Sequence, residues 1–372
     1  MDFDKNTITR IILFCVLDKQ GGIETHIKSL ANHLKSAGAD VTVAAKWVKA
    51  SVHYESYFKE IGVSLVYPKL SNKVFALGLP SKLAALVLNI LAELSFRMNL
   101  KPGSFDVVSI NAKGLFGERL RRYLKPHSGI LTYHEHQTLH NLHQIDPKII
   151  AMFNRMSFVT VNSSLDHKKI STLLNQKAKA YILPALTLCE HKALNNTKKI
   201  KCDFFRVAFI GNIGAHEKGA HKLLHLWKTK NIKDMLLTFY GQNSETLGNI
   251  SNLEMVKVAG TFDSKDIASV YANVDLLVHP ADNESLGLVL IEAMAFGVPF
   301  LATHVGGVID IAFENSNVLT VKNDIEEIYQ GIITMRRRIE NGDIDNNALK
   351  GQYNAKWSPN ALGNQWLERF GL

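Results

Sequence analysis

Short apolar runs alternate with helix-like stretches along most of this 372-residue chain. The first run, 11–17, is apolar throughout, and the stretch 24–37 behind it has apolar side chains at helical spacing and ends before Gly38. Runs of this length that are apolar at every position are typical of parallel strands covered on both faces. Since crossovers between parallel strands are right-handed, the pattern predicts a doubly wound α/β fold.

The alternation occurs as two separate series. Further strands of the first series are predicted at 41–45, 64–67, 107–110, 130–133 and 158–161. The second series has predicted strands at 207–210, 236–240, 256–259, 276–279 and 300–302 and predicted helices at 219–227, 267–272, 286–296 and 326–338. The stretch between them, 191–201, is polar and basic without periodicity. We therefore predict two Rossmann-like domains, 1–187 and 204–354, joined by a linker at 188–203.

Length and composition agree with two globular domains. The chain is 46% apolar and 21% charged, which excludes a fully disordered or fibrous protein. Three scattered cysteines, Cys15, Cys189 and Cys202, are too few for a disulfide framework or a cysteine-rich zinc site. A reducing compartment, the cytoplasm, is the expected location.

Two apolar stretches bear on membranes. The run 11–17 is short and leads into charged residues without a cleavage site, so it predicts a buried strand rather than a signal peptide. The stretch 83–94 is too short to cross about 30 Å of hydrocarbon as a helix. With Lys82, Arg97 and Lys101 at its flanks it fits either an ordinary core helix or a peripheral membrane surface.

Positive charge is concentrated in the first half. Residues 1–185 hold 24 Lys and Arg against 13 Asp and Glu, whereas 186–372 hold 19 against 21. One basic cluster consists of Arg119, Arg121, Arg122 and Lys125. The excess indicates either an anionic partner or simply a solvated face. Nucleic acid is not expected, because the chain lacks a basic helix interleaved with stacking aromatics.

Glycine-rich turns follow the first strand of each series. Gly21 and Gly22 precede the first helix, where free amides can meet an anion. In the second series the turn runs from Gly211 to Lys218, directly before a helix. A lysine there suits a phosphate, although a tight turn with an exposed lysine is the plainer alternative. Neither turn has the G-x-G-x-x-G pattern, which argues against a dinucleotide dehydrogenase.

The most informative stretch begins where an apolar strand ends at His279. Glu284 closes a polar turn, and Ser285 is predicted to cap a helix whose first turn contains Gly287. Glu292 lies about two turns further on, and a carboxylate can accept hydrogen bonds from sugar hydroxyls. Taken singly, the two glutamates could be a turn residue and a solvated helix residue.

Together these residues carry a resemblance. Residues 284–299 spell E-S-L-G-L-V-L-I-E-A-M-A-F-G-V-P, which resembles the E-x7-E signature of retaining glycosyltransferases of family 4. The loop 303–310, the turn 21–24 and the pair 218–219 also resemble that family, colinearly over most of 10–320. The resemblance implies the GT-B fold, in which two Rossmann-like domains face an interdomain cleft. It also implies that the tail 355–372 packs back on the first domain.

The resemblance implies a donor site in the second domain. Glu292 would hold the ribose of a nucleotide-sugar, Glu284 would contact the sugar, and Lys218 would neutralise the diphosphate. The amides around Gly287, Leu288 and Val289 would surround the phosphate, and Ser285 and Leu286 are further donor-site residues. In the first domain Gly21 and Gly22 would pack against donor phosphates and acceptor, and His134 would lie near the sugar.

One departure from the family concerns the donor site. Asn212 follows Gly211 where the family usually has an arginine, and an amide carries no charge. Either Arg206 or His216 compensates, or turnover is slow. Asp310 replaces the more usual glutamate after the second glycine pair.

A histidine cluster invites the hypothesis of a metal site. His134, His136, His140 and His143 lack the H-E-x-x-H order, and no cysteine is near them in sequence. The resemblance implies metal-independent transfer, so neither a metal nor another cofactor is expected.

The sequence thus predicts a retaining hexosyl- or N-acetylhexosaminyl-type glycosyltransferase. The expected donor is a UDP-sugar, and the expected acceptor is a glycan or lipid-linked molecule of cell-surface polysaccharide or lipopolysaccharide synthesis. An anionic membrane surface is a further expected partner. The alternatives are a GT-B-shaped sugar-nucleotide epimerase or phosphorylase and a non-catalytic transferase-like binding protein.

Overall fold

The chain divides into two compact units. A computed structural model describes residues 8–17, 21–48, 51–78, 80–111, 129–136, 146–175, 178–187, 202–250 and 252–372. Unit 1 comprises residues 1–188 and 359–372, and unit 2 comprises 189–358. Most of the predicted linker 188–203 lies outside the described residues.

Unit 1 is built on a parallel sheet. Its described strands are β1 (Arg10–Leu17), β2 (Asp40–Val48), β3 (Ser64–Val66), β4 (Val107–Ile110), β5 (Ile130–Glu135), β6 (Phe158–Val161) and β7 (Lys179–Ile182). They are ordered β3-β2-β1-β4-β5-β6-β7. Five consecutive residues of β1 are buried, as expected for a central strand covered on both faces.

Helices cover this sheet. Those described are α1 (Gly22–Ser36), α2 (Ser51–Glu60), α3 (Ser71–Ala76), α4 (Ser81–Asn99), α5 (Pro147–Phe153), α6 (Ser164–Ser171) and α13 (Pro359–Phe370). On α4, Leu88, Ala92 and Phe96 recur every fourth residue and are buried. The ring of Phe96 meets that of Phe14 on β1 edge to face, with centroids 5.8 Å apart. None of the described helices is long and apolar enough to cross a membrane.

The C-terminal helix α13 packs within unit 1, against α1. Gly363 permits this close approach, because a Cβ there would lie 2.5 Å from the ring of His33. Trp366 is fully buried, and its Nε1 donates to the carbonyl of Pro184 at 3.3 Å. The last helix is therefore part of the core of unit 1.

Unit 2 repeats the architecture. Its strands are β8 (Phe205–Ile210), β9 (Met235–Tyr240), β10 (Val256–Gly260), β11 (Leu276–His279), β12 (Phe300–Thr303) and β13 (Leu319–Val321). Its helices are α7 (Ala220–Thr229), α8 (Ile267–Ala272), α9 (Leu288–Ala295), α10 (Val308–Ala312), α11 (Ile325–Glu340) and α12 (Asn346–Gln352). The strand order is β10-β9-β8-β11-β12-β13, and every pairing is parallel.

This order places the site of unit 2. Strand β8 pairs with β9 on one side and with β11 on the other. Successive strands are therefore added in one direction from β8 to β10 and in the opposite direction from β11 onward, which makes the gap between β8 and β11 the topological switch point. In open α/β sheets ligands bind beyond the carboxyl ends of the strands at such a switch point. The loops that leave β8 after Ile210 and β11 after His279 are therefore neighbours.

The doubly wound fold predicted from the sequence is confirmed in both units. The predictions omit β7 and β13, and both are edge strands with partly exposed residues. An edge strand does not need a continuous apolar run, so the signal used for the central strands is absent there.

Candidate functional site

The site of unit 2 begins with a turn of 3-10 helix, His216–Lys218, in the loop after β8. Gly219 ends this turn with φ +79°, and a Cβ there would lie 2.0 Å from the carbonyl oxygen of Pro280. The amide of Asp282 donates to the carbonyl of Glu217 at 2.7 Å. These contacts bind the loop after β8 to the loop after β11, and only glycine fits between them.

Lys222 fixes the same junction from α7. Its Nζ donates to the carbonyl of Pro280 at 3.0 Å and to Oδ1 of Asn323 at 2.6 Å, and it forms an ion pair with Asp282. Its side chain is only 11% exposed. Lys222 is therefore committed to positioning the loops.

Lys218 and Glu284 meet across this junction. The Nζ of Lys218 donates to Oε2 of Glu284 at 2.7 Å, and Nε2 of His279 donates to the same oxygen at 2.8 Å. The amide of Ser285 donates to Oε1 at 3.1 Å. The Lys218 side chain is 29% exposed, against 11% for Glu284 and 4% for His279. A partly exposed cation thus lies beside a buried, fully oriented carboxylate.

These partners keep Glu284 ionised. Burial by itself would raise the pKa of its carboxyl, but the hydrogen bond from His279 and the charge of Lys218 outweigh burial and lower the pKa to about 2. Glu284 is therefore a hydrogen-bond acceptor at every physiological pH.

Two glycines of the loop after β12 support the backbone of Glu284. Gly306, with φ +50°, approaches so closely that a Cβ would lie 1.7 Å from the carbonyl oxygen of Glu284. A Cβ on Gly307 would lie 2.3 Å from the carbonyl oxygen of Ser285, and the Gly307 amide donates to Glu284 O at 3.1 Å. The glycine pair that the sequence indicated thus holds the first glutamate in place.

Helix α9 starts later than predicted. Gly287, with φ +93°, occupies the N-cap position, and the helix begins at Leu288. The prediction that Ser285 caps this helix is wrong, because the turn 284–287 is held by the two glycines of the β12 loop and Gly287 alone adopts the left-handed geometry. The first amides of α9, including those of Leu288 and Val289, lack acceptors within the helix and suit an anion.

Glu292 lies further along α9 and is partly buried. Tyr271 of α8 donates its hydroxyl to the carbonyl of Val289 at 2.9 Å and approaches Oε2 of Glu292 at 3.3 Å. Burial raises the pKa of the Glu292 carboxyl to about 7, although the tyrosine bond opposes the rise. Near pH 7 this carboxyl is therefore present in both its protonated and its ionised form.

Asn212 is part of a turn. Its Oδ1 accepts from the amide of Gly214 at 3.2 Å and from Nδ2 of Asn243 at 2.8 Å. The residue is exposed. It therefore presents an amide, rather than the arginine charge of the family, at the end of β8.

Of the two candidates to replace that charge, Arg206 is already engaged. It forms a two-pronged pair with Asp275 at 2.9 and 3.0 Å and is 7% exposed. His216 is 80% exposed, lies 3.9 Å from Asp282, and stacks on His221 with ring centroids 3.9 Å apart. His216 remains the candidate, because its ring is accessible on the turn that carries Lys218.

The glycine turn of unit 1 has the geometry of a helix start. Gly21 is the N-cap of α1, and Gly22 is the first residue of that helix. A Cβ on Gly21 would lie 3.0 Å from a carboxylate oxygen of Glu24. Both glycines are exposed, so the backbone at this helix end is accessible.

His134 lies in β5 of unit 1 and is 1% exposed. Its Nδ1 lies 2.8 Å from the hydroxyl of Thr160, and its ring contacts Trp366, His26 and His136 at centroid distances of 5.2, 5.0 and 4.3 Å. Burial lowers the pKa of all three histidines, to about 3 for His136. The rings are therefore neutral at physiological pH.

Ring nitrogens of His26, His134 and His136 lie within 4.8 Å of one another, which is the pattern of a possible metal site. His26, however, accepts at Nδ1 from the amide of Leu186 at 3.0 Å. A neutral imidazole that accepts at one nitrogen carries its proton on the other, so Nε2 of His26 has no lone pair for a metal. His140 and His143 lie outside the described residues.

Two residues of the site were not assigned a role from the sequence. His279 ends the strand before the signature, and a polar residue at the end of a buried strand is a signal that could have identified it. Tyr271 lies 21 residues before Glu292 on another helix, and no local pattern links the two. The structure pairs Lys218 with Glu284 just before the start of α9 and places Glu292 on that helix, all within unit 2, whereas Gly21, Gly22 and His134 belong to unit 1.

Comparison with known proteins agrees with this geometry. Residues 190–340 match the family profile described as glycosyl transferases group 1. The chain is 27% identical over 206 residues to the capsular polysaccharide biosynthesis glycosyltransferase CapM of Staphylococcus aureus, covering 49% of this chain and 53% of CapM. The matched region thus spans about half the length of CapM. The resemblance to glycosyltransferases is confirmed for unit 2, and the assignment to family 4 stays a prediction.

Solved structures share the fold over nearly the whole chain. Sucrose-phosphate synthase from Thermosynechococcus elongatus superposes with a TM-score of 0.75 at 17% identity, covering 98% of each chain. HepE from Anabaena, solved in complex with UDP and glucose, superposes with a TM-score of 0.70 at 17% identity, covering 97% of this chain and 99% of HepE. The predicted GT-B fold is confirmed.

Proposed function

We propose that this chain is a retaining glycosyltransferase that moves a sugar from a nucleotide-sugar, of the UDP class, to a glycan or lipid-linked acceptor. The observation that carries the proposal is the pairing of Lys218 with the buried Glu284 beside the start of α9. The synthesis of cell-surface polysaccharide or lipopolysaccharide, on the cytoplasmic side of the membrane, is the setting we propose, and the similarity to CapM supports it.

Lys218 and α9 would act on the leaving group. Breaking a glycosyl–phosphate bond places negative charge on the departing diphosphate, and a cation with helix amides stabilises that charge. Without donor, Glu284 neutralises Lys218, so the ammonium is held in position and only partly exposed. A diphosphate would therefore meet a cation whose orientation is already fixed.

The two glutamates would bind different parts of the donor. Glu284 has a lowered pKa and is held by three donors, so it would accept a hydrogen bond from a sugar hydroxyl through a remaining lone pair. Glu292 would accept from the ribose hydroxyls. The ribose hydroxyls would favour the ionised carboxylate, since a protonated carboxyl accepts more weakly. Because the pKa of Glu292 is raised to about 7, ribose binding would depend on pH near neutrality.

The sugar transfer would proceed on one face of the sugar. The acceptor oxygen forms a bond to the anomeric carbon as the bond from that carbon to the diphosphate oxygen breaks. The proton of the acceptor hydroxyl passes to an oxygen of the departing diphosphate, so charge and atoms balance without a metal ion. In unit 1 the exposed backbone of Gly21 and Gly22 would be available to an anionic group at the start of α1. His134 is 1% exposed, so it could act on the sugar only through the side chains packed around it.

Asn212 sets a limit on this chemistry. The family arginine is replaced by an amide whose oxygen already accepts two hydrogen bonds, so Lys218 is the principal cation described at this position. We infer that leaving-group stabilisation depends more heavily on Lys218 here than on either member of a lysine–arginine pair.

A transfer assay tests the proposal. A thermal-shift panel of nucleotide-sugars first selects the donor, because a ligand that binds only the folded protein raises its stability. Release of the nucleoside diphosphate and the anomeric configuration of the product are then measured. Loss of one cationic donor to the transition state predicts a rate about 10²–10³-fold lower in Lys218→Ala, with Lys228→Ala, an exposed lysine on α7, as the matched control.

The alternatives give different results in the same assay. Conversion of the donor without an acceptor would indicate an epimerase, and use of inorganic phosphate as acceptor would indicate a phosphorylase. Binding without turnover would indicate a non-catalytic protein. Equal rates for the parent, Glu284→Ala and Lys218→Ala would overturn the assignment of the site.

A further inference from the structure

Helix α4 carries a second apolar face that points away from the core. Its inner face buries Leu88, Ala92 and Phe96. The residues of the opposite face, here called the outer stripe, are exposed by 45–81% and are Leu83, Leu86, Ile90, Leu94 and Met98. Their spacing of three or four residues places them along one side of the helix.

Two further exposed leucines flank helix α3. Leu70, just before α3, is 51% exposed and Leu77, just after it, is 68% exposed, and α3 packs against α4. Single exposed leucines are ordinary, but an aligned series of large apolar side chains is not, and such patches mark sites of interaction. The outer stripe therefore needs a partner.

Charge around the stripe selects the kind of partner. Residues 69–101 contain five basic side chains, Lys69, Lys73, Lys82, Arg97 and Lys101, and a single acid, Glu93. Glu93 pairs with Arg97 at 2.8 Å. All five basic residues are exposed, and Lys82 and Arg97 lie on α4 itself, so the stretch that carries the apolar stripe is cationic. An apolar stripe on a cationic stretch is complementary to an anionic lipid surface.

We infer that the outer stripe of α4 docks unit 1 onto a membrane that contains anionic phospholipid, with the helix lying in the plane of the interface. A second copy of this chain fits less well. A symmetric pairing of the stripes would bring two sets of cations together, and like charges repel.

Docking would bring the chain to lipid-linked acceptors. That consequence rests on the proposed glycosyl transfer, whereas the docking itself rests only on the residues of unit 1. The two can therefore fail separately, because vesicle binding needs no donor and soluble nucleotide-sugar binding needs no vesicle.

Vesicle flotation with the full chain tests the inference. We expect binding to vesicles of phosphatidylcholine with phosphatidylglycerol at low salt and loss of binding at about 1 M salt, where the Debye length is about 3 Å. Leu86→Ser with Ile90→Ser should weaken binding by about tenfold or more, because two apolar side chains no longer enter the interface. Lys82→Glu with Lys101→Glu should weaken it by at least about fivefold per side chain.

Two variants in unit 2 serve as controls. Phe313→Ser removes an aromatic side chain that is 64% exposed, and Lys233→Glu reverses an exposed charge. Both should bind vesicles like the parent. Because the replaced residues are all exposed, each variant should keep the parent's circular dichroism and thermal midpoint, which shows that it is folded.

Three outcomes would overturn the inference. They are no binding to vesicles with or without phosphatidylglycerol, equal binding to neutral vesicles of phosphatidylcholine alone and to the anionic vesicles, and unchanged binding of both the Leu86→Ser with Ile90→Ser variant and the Lys82→Glu with Lys101→Glu variant. A dimer in sedimentation that Leu86→Ser with Ile90→Ser abolishes, without vesicle binding by the parent, would assign the stripe to a second copy.

Discussion

Glu284 and Glu292 are two carboxyl groups of one turn and helix whose surroundings drive their pKa values apart. Burial acts on both, but Glu284 also has His279 and Lys218 on one oxygen, whereas Glu292 has a single hydroxyl. The pKa is lowered to about 2 for Glu284 and raised to about 7 for Glu292. Pairs separated in this way are typical of functional sites, and here the separation has testable consequences.

Donor affinity should depend on pH through Glu292. With a pKa of about 7, its carboxyl is mostly protonated at pH 6 and mostly ionised at pH 8, so binding should be up to about tenfold weaker at pH 6. A nucleotide-sugar is the ligand to use, because it lacks the terminal phosphate that titrates near pH 6. Calorimetry should show that the affinity of the parent rises from pH 6 to pH 8, whereas the affinity of Glu292→Gln should not change with pH. A flat profile in the parent would contradict the role given to Glu292.

The same carboxyl should reduce stability at high pH. Its folded pKa lies above the ordinary 4.5, so the folded state binds more protons than the unfolded state between pH 4.5 and 7, and stability falls as pH rises through that window. Glu292→Gln cannot ionise but can still accept from Tyr271. It should raise the free energy of unfolding at pH 8 by about 3 kcal/mol and change it little below pH 4.5.

Urea unfolding at the two pH values measures this difference. Glu327→Gln, an exposed acid in the first turn of α11, is the control and should give no comparable gain at pH 8. A destabilised Glu292→Gln at pH 8 would show that the carboxylate is satisfied in the unliganded protein.

At the scale of elements, the loops are fixed by close backbone contacts. Gly306→Ala places a methyl group 1.7 Å from the carbonyl oxygen of Glu284, at φ +50°, so the loop after β12 must move. We expect a loss of more than about 2 kcal/mol in stability and a parallel loss of donor binding as Glu284 is displaced.

Gly342 provides the matched control for this change. It also has a left-handed φ, +79°, but a Cβ there meets nothing within 4 Å. Gly342→Ala should lose only the conformational preference, about 1 kcal/mol, and bind donor normally. Equal effects of the two substitutions would mean that the contact with Glu284 is unimportant.

Elements were predictable where one local signal decides them. The central strands of both sheets follow from apolar runs, and the proposed donor-site residues follow from the motif. The start of α9 was not predictable. Ser285 is the better cap by residue type, but Gly306 and Gly307 of a loop some twenty residues away hold the backbone of Glu284 and Ser285, and Gly287, with φ +93°, takes the N-cap position. The role of Tyr271 was likewise decided by packing between α8 and α9, which no local pattern records.

At the scale of the whole molecule, helix α13 belongs to unit 1 although it follows unit 2 in the sequence. Trp366 is fully buried against His26 and His134, with ring centroids 5.2 Å from each. Trp366→Ala should lower the stability of unit 1 by about 3–5 kcal/mol, as for other large-to-small core changes. The affinity of unit 2 for donor should stay within about twofold of the parent.

Denaturation followed together with donor binding separates these effects. Gln365→Ala, an exposed neighbour on α13, should behave like the parent. A Trp366→Ala protein of unchanged stability would show that α13 is dispensable for unit 1.

We propose above all that unit 2 binds a nucleotide-sugar, with Lys218 in contact with the diphosphate and Glu292 in contact with the ribose. Titration calorimetry of the selected nucleotide-sugar at pH 8 tests it most directly. We predict one binding site in the parent and in Lys228→Ala, with affinity at least about tenfold weaker in Lys218→Ala and in Glu292→Gln. Equal affinity in all four proteins, or no binding by the folded parent of any nucleotide-sugar in the panel, would contradict it.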